Sequence, residues 1–153
     1  VAVKERQTIV YRNTAPSAPA PIVELGGVQP DLGAADFSAT LTPGAPLLFR
    51  YSAITFNSHR IHYDLPFARE VEGYPDLVVQ GPLTATLLID LVSHHGIGNS
   101  LASFQFRGLA PAFVSRPMHL SARRTGGPSK LSLSAESEGR QIMQASATLV
   151  HPG

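Results

Sequence analysis

Two histidines, His59 and His62, stand three positions apart beside Asn57, Arg60 and Asp64, directly after an apolar run. An imidazole titrates near neutrality and can carry a proton between water and carbon, while a neighbouring amide can hold that water by hydrogen bonds. Further along, Gln80-Gly81-Pro82 opens a helical pattern. Backbone N–H groups at a helix start point outward and can hold a carbonyl oxygen as it gains negative charge. A base-rich loop followed by a glycine at a helix entry is what enolate chemistry on a thioester requires. Read alone, Gly81 is equally a plain helix-entry glycine, and His62 an ordinary interfacial histidine with a satisfied hydrogen bond.

Other chemistries find less support. The sequence has no Cys, which removes disulfides, thiolate zinc sites and a cysteine nucleophile. His59 and His62 lack a clustered third ligand for a metal. Ser58 and Ser93 lack the G-x-S-x-G setting of an acyl-enzyme serine. A net charge of +1, with 15% charged residues and no basic block, gives no footprint for nucleic acid. No apolar run approaches the ~18 residues of a membrane span, and the N-terminus lacks the layout of a signal peptide. A cytoplasmic protein that does not engage membrane is the expectation. His94-His95 suits a cation at the negative end of a helix dipole.

These residues need elements to position them. The 153 residues, 43% of them hydrophobic, suit one compact domain. Gln7–Tyr11 reads as a lone first strand, and Asn13–Ile22 as an extended Pro/Ala-rich connector. Leu25–Gly44 is weakly patterned, with at most one helical turn. Pro46–Phe56 is aromatic and alternates Leu47, Phe49, Tyr51 and Ala53, which predicts a strand. Asp64 is placed to cap a short helix. Pro82–Ser93 carries Leu83, Leu87, Leu88, Leu91 and Val92 at helical spacing, with Gly96 as a stop. Four alternating strands follow: Leu101–Arg107, Pro117–Arg123, Lys130–Ser137 and Gln141–Val150, with a tight turn at Glu138-Gly139. The economical packing is α+β, a curved antiparallel sheet wrapped around the long helix in a hot-dog fold, although periodicity alone also permits other α+β sheets. The division expected is an irregular 1–45 segment and a hot-dog domain over 46–153.

The chain resembles the MaoC-like hydratases, hot-dog proteins acting on acyl-CoA or acyl-ACP thioesters. Their Asp-x-Asn-Pro-[Leu/Ile]-His signature aligns with Asn57–His62, placing the catalytic His at His62 and the catalytic Asp at Asn57. Phe56–Asp64 (FNSHRIHYD) is similar to the F-N-x-H-R-I-H-Y-D string of the hydroxyacyl-thioester dehydratase type 2 branch, which includes mesaconyl-CoA and itaconyl-CoA hydratase-like proteins. Val79–Pro82 resembles the branch's helix opening, and Phe106–Pro111 its F-x-F-R-x-x-A-P strand and loop. The resemblance covers roughly 47–150. It implies reversible hydration of enoyl thioesters without a resident cofactor, with His62, Asn57 and Gly81 as the catalytic set. Arg60, Asp64, Gln80 and Arg107 are expected at the substrate. Asn57 cannot take a proton as a carboxylate does, so His62 carries the transfer. Gln80 replaces a His of many relatives. Arg60, where many relatives have Pro, could grip a carboxylate of a short dicarboxylic acyl group. A homodimer or a pseudo-dimer of hot-dog units is the expected assembly. The alternatives are a hot-dog thioesterase using Asp64 and a non-catalytic acyl-CoA-binding unit.

Overall fold

The computed structural model describes residues 3–9, 34–95 and 100–150. The element order is β1 (Phe37–Leu41), α1 (Ala45–Ile54), α2 (Gly81–His95), β2 (Ser100–Gly108), β3 (Met118–Arg124), β4 (Lys130–Ser137) and β5 (Arg140–Val150). The five strands form one antiparallel sheet in the order β1-β3-β4-β5-β2, and α2 packs against every strand. This is the hot-dog arrangement.

The alternation in the sequence builds the core directly. Met118, Leu120 and Ala122 of β3, Leu131, Leu133 and Ala135 of β4, and Met143, Ala145, Ala147 and Leu149 of β5 all face inward and are buried. Opposite them lie Leu83, Leu88, Leu91 and Val92 of α2. Leu88 is 0% exposed, and burying such a side chain is worth roughly 1.5–3 kcal/mol. Glu138 and Gly139 both take positive φ (53° and 71°), the pairing a two-residue hairpin of type I′ requires. In β2 the predicted inward face is only partly realised. Phe104 is half-buried while Phe106 is 45% exposed, because β2 is an edge strand and its register shifts between Leu101 and Ser103.

Several expectations need correction. The strand predicted over Pro46–Phe56 is the helix α1. Its apolar residues run on all sides, so alternation and helical spacing fit equally well. Tertiary packing decides, burying Leu48 and Ser52 one turn apart with Tyr51 half-buried beside them. Gly44 is the cap and Pro46 lies in the first turn. The weakly patterned Leu25–Gly44 holds β1, which pairs with β3 from Phe37↔Ala122 to Leu41↔Met118. The sheet therefore reaches N-terminal of the boundary drawn at residue 46. Residues 3–9 form no strand, and the remainder of the Gln7–Tyr11 prediction, the Asn13–Ile22 connector and the Gly96 stop lie outside the described residues.

Candidate active site

The site begins at the C-terminal end of α1. Thr55 is the cap, and Phe56 takes φ 54° in the left-handed region, a position usually given to Gly. The N–H of Asn57 donates to Ser52 O (2.9 Å) and that of Phe56 to Ala53 O (3.4 Å). These two bonds are a Schellman motif, which turns the chain sharply and sets Asn57 down beside the last turn of the helix. Asn57 Oδ1 then accepts the backbone N–H of His59 (3.1 Å), leaving its two Nδ2 hydrogens as donors. The loop is tied again by Tyr63, whose hydroxyl donates to Ser58 O (2.8 Å).

A single 3₁₀ turn, Arg60–His62, delivers the buried His62. Its Nδ1–H donates to Val78 O at 2.7 Å, since a carbonyl can only accept, and the lone pair therefore lies on Nε2. The N–H of Val78 returns a bond to Ile61 O (3.0 Å), so one residue clamps the turn from both its backbone groups. Val78 is itself held on its other side: Val79 N–H donates to Ala112 O (2.8 Å) and Val114 N–H to Leu77 O (3.0 Å), with Val78 facing Phe113 in an antiparallel bridge. The F-x-F-R-x-x-A-P segment thus feeds the loop that braces the histidine clamp. Burial is the main influence on His62 and pulls its pKa below the usual range; the Val78 bond opposes this, and nearby His59 adds a smaller downward push. Neutral imidazole with a free Nε2 is the form a general base needs at pH 7. The exposed His59 ring meets His62 edge-on at 5.6 Å.

From Val78 the chain needs only three more residues to reach Gly81, so Val78, to which His62 is bonded, lies within about 10 Å of the start of α2. Gly81 is exposed at the first position of α2, among the N–H groups that have no partner within a helix. A Cβ there would meet nothing within 4 Å, so open space stands beside it.

The remaining predicted site residues have other partners. Asp64 is fully engaged: Oδ2 accepts Arg60 Nε (3.0 Å) and Nη2 (2.7 Å), and Oδ1 accepts the Phe67 N–H (3.1 Å). The Arg60 bond, then the Phe67 N–H, holds its carboxyl below the usual carboxylate range. Arg60 also lies 4.2 Å over the Phe67 ring. Arg60 and Asp64, both expected at the substrate, form an i,i+4 ion pair across the turn. Gln80 is 1% exposed, and its Nε2 donates to Leu48 O and Ser52 Oγ, both at 2.9 Å. Gln80, expected at the substrate, is an interior tie between α1 and the start of α2. Arg107 is exposed on β2, opposite Gln144. No cluster of three metal-ligating side chains occurs among the described residues. Sequence reasoning missed Ser52 and Val78. Ser52 is one helical turn from Leu48, a signal visible once the segment is read as a helix, whereas a backbone carbonyl leaves no mark in a sequence.

An open cleft of about 270 Å³ lies on this side of the molecule, lined by Phe49, Ser52, Ala53, Phe56, Asn57, Ser58 and Tyr63. It is apolar apart from the Ser52–Asn57–Ser58 strip and the Tyr63 hydroxyl.

The family model for hydroxyacyl-thioester dehydratase type 2 matches residues 1–114. The chain belongs to the hydroxyacyl-thioester dehydratase type 2 family. It is 46% identical over 127 residues to a mesaconyl-C(4)-CoA hydratase from Chloroflexus aurantiacus, covering 82% of this chain and 43% of that protein. It is 37% identical over 91 residues to the type 2 dehydratase of Schizosaccharomyces pombe, covering 58% of this chain and 30% of that protein. The chain thus spans less than half the length of these relatives. Among solved structures, the (R)-hydratase of A. caviae superposes with a TM-score of 0.65 at 18% identity, covering 78% of this chain and 98% of that one. The ChsH1–ChsH2 complex of Mycobacterium tuberculosis gives 0.67 at 14% identity, covering 78% and 97%. At those identities the likeness establishes the shared fold, and the family's MaoC-like character agrees with it.

Proposed function

We propose that this chain carries the hydration site of an enzyme that reversibly hydrates enoyl thioesters to 3-hydroxyacyl thioesters. The observation that carries the reading is the Val78 clamp on His62, which fixes the tautomer with Nε2 free and ties it to the residue three positions before Gly81. In the hydration direction, His62 Nε2 takes one proton from water while the water oxygen bonds to Cβ of the enoyl group. The Cα–Cβ π electrons move toward the thioester, whose oxygen gains charge and is held by the Gly81 N–H and the α2 dipole. The imidazolium then returns that proton to Cα, so one water is added across the double bond. Asn57, with Oδ1 accepting the His59 N–H, presents Nδ2 to the water oxygen. It orients that water and takes no proton.

The relatives support the reading: one is named as a mesaconyl-C(4)-CoA hydratase and another as a hydroxyacyl-thioester dehydratase. A short acyl group carried on CoA or an acyl-carrier protein is the substrate class proposed, with Arg107 available to a phosphate of the carrier. We further infer that two hot-dog units associate, as the ChsH1–ChsH2 neighbour does, because β2 is an open sheet edge carrying exposed Leu101 and Phe106. Loss of enoyl-thioester absorbance with crotonyl-CoA or mesaconyl-CoA tests the activity. Absence of turnover with any short or medium enoyl-CoA refutes it.

A further inference from the structure

Ser52 departs from the habit of the other hydroxyl residues on and beside these helices. Thr55, Thr84, Thr86 and Ser93 each turn their hydroxyl back to the carbonyl four residues earlier. For Ser52 that carbonyl is Leu48 O, which already accepts a hydrogen of Gln80 Nε2. The second Nε2 hydrogen goes to Ser52 Oγ itself (2.9 Å). Both bonds fix which way the Gln80 amide faces, and its Oε1 is left buried without a partner among the described residues. With Oγ receiving a hydrogen bond, the Ser52 hydroxyl hydrogen must find an acceptor elsewhere, and Ser52 lines the cleft together with Asn57.

Ser52 is also the residue through which the two halves of the site are joined. Its carbonyl accepts the Asn57 N–H (2.9 Å), and its hydroxyl accepts Gln80, the residue before Gly81. The chain of donation therefore runs from Gln80 Nε2–H to Ser52 Oγ–H and onward into the cleft, beside the free Nδ2 hydrogens of Asn57. Ser52 and Asn57, both able to donate, line the cleft together, with no carboxylate among the lining residues. Such a place suits an amide oxygen of the arm that carries an acyl thioester.

We propose that Ser52 is a substrate-binding residue, its hydroxyl oriented by Gln80 to donate to an amide oxygen of the pantetheine arm that carries the acyl group, lying in the Phe49–Phe56–Tyr63 cleft, while the thioester oxygen stays at Gly81 and the water at Asn57. This rests on the hydratase reading of the same site and adds to it a residue that the signature does not include. Ser52→Ala removes the donor, Ser52→Thr keeps it, and Gln80→Leu keeps the hydroxyl but removes what orients it.

The measurements are kcat/KM on crotonyl-CoA, calorimetric Kd for the unreactive butyryl-CoA, and Tm for each variant. Ser52→Ala is expected to lower kcat/KM about tenfold, the scale of one lost hydrogen bond, and to weaken butyryl-CoA comparably. Ser52→Thr is expected to restore most of both, and Gln80→Leu to fall between. Ser52→Ala with kcat/KM and Kd within twofold of wild type, even with a lowered Tm, overturns the proposal and leaves Ser52 a structural tie. If wild type binds butyryl-CoA but turns over no enoyl thioester, the hydratase reading fails while the Kd comparison still decides Ser52. If wild type neither binds nor turns over, both are overturned.

Discussion

His62 serves two ends that substitution can separate. Its Nδ1–H fills the acceptor at Val78 O, and its Nε2 is the proposed base. His62→Ala removes both, and a carbonyl left buried and unpaired costs about 1–3 kcal/mol, with the cavity of a 7%-exposed ring adding to that. His62→Asn keeps a side-chain N–H at the place of Nδ1, so it should recover about 1 kcal/mol or more of that loss. Neither variant has a base. Both should therefore lose kcat by a similar factor, on the order of 10² to 10⁴. Urea unfolding gives the stability difference, and the enoyl-CoA absorbance assay gives kcat at a temperature where each variant is folded. The reasoning fails if His62→Asn retains more than about a tenth of wild-type kcat, or if the two variants are equally stable.

The other expectations are shorter. Since His62 must be neutral to act and its folded pKa lies below the ordinary value of about 6.5, kcat/KM should be level at neutral pH and fall only on the acid side of 6.5. Over that window the unfolded chain takes up the proton first, so stability also declines as pH falls; an acid limb of kcat/KM centred above pH 6.5 contradicts this. His59→Ala removes a downward push on His62 and should move the acid limb slightly to higher pH, a direction that a pH–rate series would read. Arg60→Ala should reduce kcat/KM on crotonyl-CoA and mesaconyl-CoA by the same modest factor, because the guanidinium is engaged with Asp64 and Phe67; a loss confined to mesaconyl-CoA would restore a carboxylate grip. Phe56→Gly should raise stability by up to about 1 kcal/mol, since Phe56 is 94% exposed and held at φ 54°; destabilisation in thermal melts would show that Phe56 packs against a partner.

The sheet and α2 were legible in the sequence because each segment there carries one unambiguous period. Leu131, Leu133 and Ala135 alternate and β4 keeps the predicted bounds, while Leu88, Leu91 and Val92 recur at helical spacing in a helix that runs one residue before and two beyond the predicted Pro82–Ser93. The residue types of the site were legible too, since Asn57, His62 and Gly81 lie in a string with few equivalents elsewhere in the chain. Segment Pro46–Phe56 could not be read in the same way. Its apolar residues satisfy strand and helix alike, and only Leu48 and Ser52 packing inward, with the Schellman turn at Phe56, selects the helix. Strand β1 was missed although Phe37, Ala39 and Leu41 alternate with Ser38 and Thr40, because a five-residue run at the sheet edge is too short to stand out from the weakly patterned stretch around it. Which groups are free to react was likewise decided by tertiary contacts. Gln80 turns inward to Leu48 and Ser52, and a backbone carbonyl at Val78 chooses the tautomer of His62. A sequence names the side chains; hydrogen-bond partners distant along the chain determine which of their atoms remain available for chemistry.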